Sequence, residues 1–263
     1  MIHPTAVIAS GAVVGKDVEI GPYTIVGEHV EIGDGCRIGP HCTLTGHTSI
    51  GARTKIHSGA VVGDEPQDYH YKGEVSYTRI GTDCTIREYA TIHRGSDAES
   101  ETVIGDNVMI MGLAHVAHNC RIGNRVTVAN LTLLAGHVDV EDSAFISGGV
   151  LVHQFTRIGT LAMLGGGSVV TQDIPPYCMH PRDAINGPNS VGLKRAGKTP
   201  EVRSAIREAI KLYFFSGLNR GDALDKIAAE FSGQPDVEHF VAFIRESSRG
   251  IAPGVARKAT YDR

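Results

Sequence analysis

The chain has no tryptophan, and aromatic residues make up only 6% of its 263 residues. A scarcity of bulky core side chains points away from a globular sandwich and toward a narrow solenoid. The five cysteines, Cys36, Cys42, Cys84, Cys120 and Cys178, form an odd, scattered set without a CxxC pair. Such a set fits reduced thiols in a cytoplasmic protein rather than a disulfide framework. No apolar run approaches the roughly 20 residues needed to span a bilayer. The opening stretch, MIHPTAVIAS, lacks the basic and apolar regions of a secretion signal. A soluble, cytoplasmic protein without a transmembrane segment is therefore expected. Positive charge is not in excess either: the formal net charge is −4, which gives no general nucleic-acid signal. What is abundant is glycine, 32 residues of it, as expected of a chain with many tight corners.

An aliphatic residue recurs at every sixth position from Ile2 to Val170, and only Asp68, Glu74 and Ala98 break the register. A period of six suits neither a helix, near 3.6, nor a flat strand, near 2, so the repeat itself is the structural unit. A glycine often follows the aliphatic residue, as at Gly15, Gly21, Gly33 and Gly39, and Cys36, Cys42, Cys84 and Cys120 fill the small-residue slot four positions after it. The pattern resembles the hexapeptide repeat of left-handed parallel β-helices, and that resemblance, not the spacing, supplies the handedness. Three hexads then make one coil of a triangular prism, and about nine coils stacked at the strand spacing give a length on the order of 45 Å. The three exceptions mark one loop near 64–78 and another near 96–102. Loops that interrupt a regular solenoid are where binding residues are usually placed.

Beyond Val170 the paired prolines of Gln172-Asp173-Ile174-Pro175-Pro176-Tyr177 cannot continue a hydrogen-bonded ladder. The expected division is a β-helix domain over 1–176 and a small C-terminal α-helical domain over 177–263, so the fold class is mainly β. Thr199-Pro200-Glu201 reads as a helix start, followed at helical spacing by Val202, Ile206, Ile210 and Tyr213. Leu224, Ile227, Ala228 and Phe231 suggest a second helix, and Val237, Phe240, Val241 and Ile244 a third, closed by Gly250. Arg203, Arg207 and Lys211 form a basic stripe preceded by Lys194, Arg195 and Lys198, either an anion-binding face or a solvated one.

The densest histidines, His115, His118, His137 and His153, fall in the most regular part of the repeat. Residues one coil apart stack, so the steps of 19 from His118 to His137 and 16 from His137 to His153 place these three near one edge of the prism. Two chemistries compete for such a cluster, beside the bland alternative of solvated outward histidines. A zinc site needs three imidazoles converging on one point, and the related carbonic anhydrases carry a His-x4-His element that the cluster lacks. A general base needs only one histidine, near its ordinary pKa of about 6.5, to take a proton from an acceptor hydroxyl or amine.

The segments GPYTIVG, PQD, TIHRG, AHVAHNC, LAGHV, VHQF, QDIPPY and GLKRAG occur in order along nearly the full length. Through them the chain resembles the UDP-N-acetylglucosamine O-acyltransferase family. The resemblance implies transfer of a 3-hydroxyacyl group from acyl carrier protein to the sugar 3-position of a UDP-sugar, the first step of lipid A synthesis. It implies no metal or organic cofactor, and clefts between the subunits of a homotrimer. It assigns the general base to His118 and an oxyanion-stabilising backbone N–H to Gly136. Asp68, His115 and His137 would contact the sugar, and His153 and Gln154 would lie by the substrate cleft. His93 would contact nucleotide or phosphate, Asn189 and Arg195 uridine and phosphate, and Gly166 would set acyl-chain length. Three positions depart from the family pattern: His70 replaces a basic residue after PQD, Val191 an acidic one before GLKR, and Asn119 the aspartate after the catalytic histidine. They leave open whether the acceptor is a 3-hydroxy or a 3-amino sugar. The N-acyltransferase of the same pathway carries a further N-terminal domain, whereas hexads here begin at Ile2. An acetyl-coenzyme A transferase and a non-catalytic scaffold are the remaining alternatives.

Overall fold

The computed structural model describes residues 1–255; residues 256–263, the end of the expected helical domain, lie outside the described residues. The hexads wind into a left-handed parallel β-helix. Each contributes a strand of two to four residues to one of three faces. The first face runs from Val7–Ile8 to Val169–Val170 and the second from Val13–Val14 to Arg157–Ile158. The third runs from Glu19–Ile20 to Cys178–His180, with Gly187–Pro188 added antiparallel. In uninterrupted coils the register advances by eighteen residues, as in Leu133↔Leu151 and Leu134↔Val152. The second residue of each pair faces the axis, where Ile110, Val116, Leu134 and Ile146 are wholly buried. Cys36, Cys42, Cys84 and Cys120 are buried as free thiols in the small slot, and Cys120 Sγ donates to the Ala135 carbonyl at 3.1 Å.

Glycine's role differs from the expected one. The left-handed corner positions are mostly filled by other residues, among them Asp17, Tyr23, Leu113 and Leu131, with φ between 55° and 61°. The glycine after the aliphatic residue is needed because the next coil lies against it. A Cβ on Gly21 would stand 2.7 Å from the Pro40 nitrogen and 2.8 Å from the Gly39 carbonyl carbon. Close stacking, rather than corner torsion, sets the glycine at that slot.

The two loops emerge where the broken register places them. One joins Val61–Asp64 to Tyr77–Ile80, the other Thr91–His93 to Glu101–Ile104. Both cross the same corner, from the first face to the second. The ladder beneath them is unbroken, since Tyr77–Ile80 pairs with His47–Ile50 on one side and Glu101–Ile104 on the other.

Four helices follow among the described residues: α1 (Ser190–Arg195), α2 (Pro200–Phe215), α3 (Arg220–Glu230) and α4 (Pro235–Arg245). The α2 start is the expected one, with Thr199 accepting from the Val202 N–H and proline in the first turn. The short α1 was not expected. Polar contacts tie the helices to the prism. Lys198 Nζ donates to both Asp236 oxygens at 2.7 and 2.8 Å, and Tyr177 Oη donates to Asp236 at 2.8 Å. His239 Nε2 lies 2.8 Å from Glu141 Oε2. The same carboxylate accepts from the Thr160 N–H and hydroxyl. No helix among the described residues is long and apolar enough to cross a membrane.

The Glu141–His239 contact makes the docking pH-sensitive. Burial resists the Glu141 charge, but hydrogen bonds from His239 and Thr160 outweigh it and hold the carboxyl below its ordinary range. The hydrogen bond to Glu141 raises His239 against its own burial. The raised His239 contributes stability fully below the free imidazole value of 6.5, and this is lost as pH rises through the folded value. The depressed Glu141 contributes above the free carboxyl value of 4.5, and this is lost as pH falls through its folded value. The pair therefore stabilises most between these two values. His239→Gln should shrink the fall in thermal midpoint that the wild type shows between about pH 5.5 and 8. An identical fall in both proteins would contradict this role for the pair.

Candidate active site

The corner crossed by the two loops also carries the histidines. His115 is the outward residue of the strand His115–Val116, and two residues later the chain turns through His118 and Asn119. One coil on, the same turn is made by Gly136 and His137, and the next by Gln154 and Phe155. Asn119, His137 and Phe155 share the left-handed corner position, with φ of 59° to 61°. His118 thus sits one place ahead of the His137 column. Its ring meets that of His137 edge to face at 5.3 Å, and His137 stacks on Phe155 at 4.6 Å. His118 also lies over Gly136: a Cβ there would stand 2.5 Å from His118 Cε1 and 2.7 Å from Nε2. Among the described residues the Gly136 N–H donates no hydrogen bond.

A groove of about 440 Å³ opens along this edge. Gln67 of the first loop, His115, His118, Gly136, His153 and Gln154 line it, and Leu133, Leu151 and Val169 supply apolar walls. Asp68 approaches from the same loop, its Oδ2 4.0 Å from His118 Nε2. The His70 N–H donates to Asp68 at 2.9 Å and its ring lies 3.1 Å away, and these contacts hold the Asp68 carboxyl below the usual range. Behind the groove, buried His93 meets His115 edge to face at 4.9 Å, and among the described residues its Nδ1 has no hydrogen-bond partner. His115 Nδ1 lies 2.6 Å from Thr91 Oγ1. Burial, then the neighbouring imidazoles His93 and His118, lowers His115 to about 4. Burial likewise lowers His93 and His137. The charged form is disfavoured at all three rings, and Asp68 is the adjoining charge. Among the described residues no three His, Cys, Asp or Glu side chains are grouped so as to hold a metal ion.

Sequence and structure comparisons bear on which chemistry this edge serves. The bacterial transferase hexapeptide model matches residues 11–46, 29–64 and 101–136, and a model described as UDP N-acetylglucosamine O-acyltransferase domain 2 matches residues 173–252. An acyl-[acyl-carrier-protein]–UDP-N-acetylglucosamine O-acyltransferase of Anaeromyxobacter dehalogenans is 41% identical over 101 residues. That match spans 38% of this chain and 39% of the relative. The protein of the same name in Synechocystis sp. is 42% identical over 211 residues, 78% of this chain and 76% of the relative. The crystal structure of a UDP-N-acetylglucosamine acyltransferase from Bacteroides fragilis is 42% identical, covers 95% of this chain and 99% of its own, and superposes with a TM-score of 0.93. The chain belongs to the UDP-N-acetylglucosamine O-acyltransferase family.

Of the residues assigned by resemblance to that family, the chain brings together His115, His118, Gly136, His153 and Gln154 along the groove, with Asp68, His137 and His93 packed around them. Asn189 and Arg195 do not join them. They line a separate cavity of about 1140 Å³ between α1 and the third face, with Phe145, Met163 and Met179. Asn189 caps α1: its Oδ1 accepts from the Gly192 N–H and its Nδ2 donates to the Leu161 carbonyl, both at 2.9 Å. Arg195 is exposed in the last turn of the same helix. Gly166 is exposed at the corner between the third and first faces, where a Cβ would meet only the Gly148 carbonyl, at 3.3 Å. Sequence reasoning missed Thr91, Gln67, Phe155 and Ser96. Eighteen-residue arithmetic from His137 could have found Phe155; nothing in the spacing marks the others.

Proposed function

We propose that this chain, as a homotrimer in the cytoplasm, transfers a 3-hydroxyacyl group from acyl carrier protein to the 3-position of UDP-N-acetylglucosamine, opening lipid A synthesis. The observation that carries this reading is the placement of His118 on Gly136. An imidazole nitrogen and an unengaged backbone N–H lie beside one groove with apolar walls, where a reacting thioester would need both. His118 takes the proton from the acceptor hydroxyl as the oxygen attacks the thioester carbonyl. The developing oxyanion is held by the Gly136 N–H, the carbon–sulfur bond breaks, and the proton passes from His118 to the departing sulfur. The bond formed is an ester and the carrier leaves as its thiol, so no external cofactor enters the balance.

Residues 1–176 would carry this chemistry. The domain over 177–263 would supply nucleotide contacts through Asn189 and Arg195, with His93 also serving nucleotide or phosphate. Asp68, His115 and His137 would hold the sugar, and His153 and Gln154 would border the cleft. The distance in the fold between the two cavities supports a site completed by a neighbouring copy, as a closed three-fold ring would provide. Light scattering should give three times the chain mass, and a monomer at working concentration would count against the ring. Gly166 leaves its corner open, so a long acyl chain is expected, and Gly166→Met should shift preference to shorter chains. Mass analysis of products from paired 3-hydroxy and 3-amino UDP-sugars with mixed 3-hydroxyacyl carriers tests the reaction and the ruler together. Absence of any acylated sugar would sink the first, and an unchanged chain profile in Gly166→Met the second.

A further inference from the structure

The second loop does more than interrupt the coil. It is tightly wound: the Asp97 N–H donates to Ser100 Oγ at 2.9 Å, Ser100 Oγ donates back to the Asp97 carbonyl at 2.8 Å, and the Glu99 N–H reaches the Val75 carbonyl at 2.8 Å. This winding aims the Ser96 backbone N–H at Asn119 Oδ1, 3.0 Å away, and the Ser96 hydroxyl lies at the same distance. A backbone N–H can only donate, so the amide atom facing it must be the oxygen. The same oxygen stands 2.8 Å from His118 Nδ1. An oxygen without a hydrogen can only accept, so Nδ1 carries the proton and Nε2 keeps its lone pair. Asp68 Oδ2, 4.0 Å from Nε2, is too far to claim a proton on that side.

We propose that Ser96 and Asn119 form a positioning relay that fixes the tautomer of His118: the Ser96 N–H orients the Asn119 amide, and the amide oxygen takes the Nδ1 proton. Neither residue touches the reacting atoms. Both act through His118, so the relay rests on the reading of His118 as the base. A neutral amide does this where a carboxylate would also add charge. The protonated base therefore gains no counter-ion from Asn119. The charged and titratable groups around it are Asp68 from the first loop, Asp97 from the second, and the imidazoles of His93, His115 and His137.

Two substitutions separate orientation from charge. Asn119→Asp keeps the acceptor for both Ser96 and His118 and adds a negative charge at hydrogen-bond distance, which favours the imidazolium. The acid limb of the kcat/KM profile should move up by about one pH unit, with the plateau kept within a few-fold. Asn119→Leu removes the acceptor at a corner position where Leu113 and Leu131 already show that leucine is tolerated with a left-handed backbone. Its kcat should fall by roughly tenfold or more with little change in KM, because ring orientation rather than binding is lost. Nitrogen NMR of the full-length wild type labelled in histidine should show His118 protonated at Nδ1. An Asn119→Asp profile superimposed on the wild type, or a wild-type ring protonated at Nε2, overturns the relay. An active His118→Ala overturns the base reading instead, while the nitrogen spectrum still decides the tautomer on its own.

Discussion

His118→Ala should lose turnover by about 10²–10⁴-fold, the range that general-base catalysis supplies, while the protein stays folded. The stability half of the expectation follows from the architecture. The axis is filled by Val116, Ile122, Leu134 and their stacked neighbours, all buried, whereas His118 points outward into the groove. Removing its ring leaves no cavity in the core. The catalytic half follows from the groove, where the charged form of His93, His115 and His137 is disfavoured but the rings are packed around the edge rather than poised beside the Gly136 N–H. None of them replaces His118. Wild-type activity should fall as acid protonates His118, since an imidazolium cannot accept the acceptor's proton. The check is steady-state kinetics at saturating substrate, with circular dichroism and thermal melting on the same preparation. A folded variant retaining more than about a tenth of wild-type turnover would refute the assignment.

Gly136→Ala is the second large effect, and here a methyl group does the damage. The new Cβ would stand 2.5 Å from His118 Cε1, inside any tolerable contact, so the imidazole must swing away. The backbone torsion at Gly136 is not in the left-handed region, so alanine suits the chain itself and the collision is with the ring alone. Displacement of a catalytic group by about 1 Å costs on the order of 10²-fold, and that is the expected fall in kcat. Thermal stability should change little by comparison. Kinetics of Gly136→Ala and His118→Ala, alone and combined, give the test. If the double variant is no slower than His118→Ala, the methyl acts through the ring; if the losses multiply, Gly136 acts by another route.

The sequence makes the axis legible because a buried aliphatic at each hexad is the one thing a narrow prism cannot do without. Asp68, Glu74 and Ala98 gave away the loops for the same reason: a polar or small residue in phase cannot sit inside. Handedness is not in the spacing, since a six-residue period reads the same for either hand. The Thr199-Pro200 start of α2 was legible from capping chemistry, while α1, six residues long and containing Gly192, offers no periodicity to read. The histidine edge was only partly legible. The step of 19 correctly brought His118 beside His137, but it could not show that both loops cross that corner, or that Ser96 and Asn119 meet behind the ring. Those contacts depend on how a loop folds back, which no periodicity encodes. Asn189 shows the converse: the resemblance marks it for uridine, and the structure shows its side chain already engaged in capping α1.

The two ends of the prism are unequal, and this gives the molecule a direction. At the first coil Ile2 is 47% exposed and Ile8 and Val14 only partly covered, whereas the last coil is closed by Ile174, Tyr177, Cys178 and Ile185, all buried beneath or beside the helices. Each coil leans only on its neighbours, so opening is easiest from the uncovered end and must pass one rung at a time. Fraying there consumes the coils before Asp64 first and reaches His118 only after them. The histidine edge is therefore insulated by distance along the stack: partial unwinding in the early coils leaves the rungs that carry it in place.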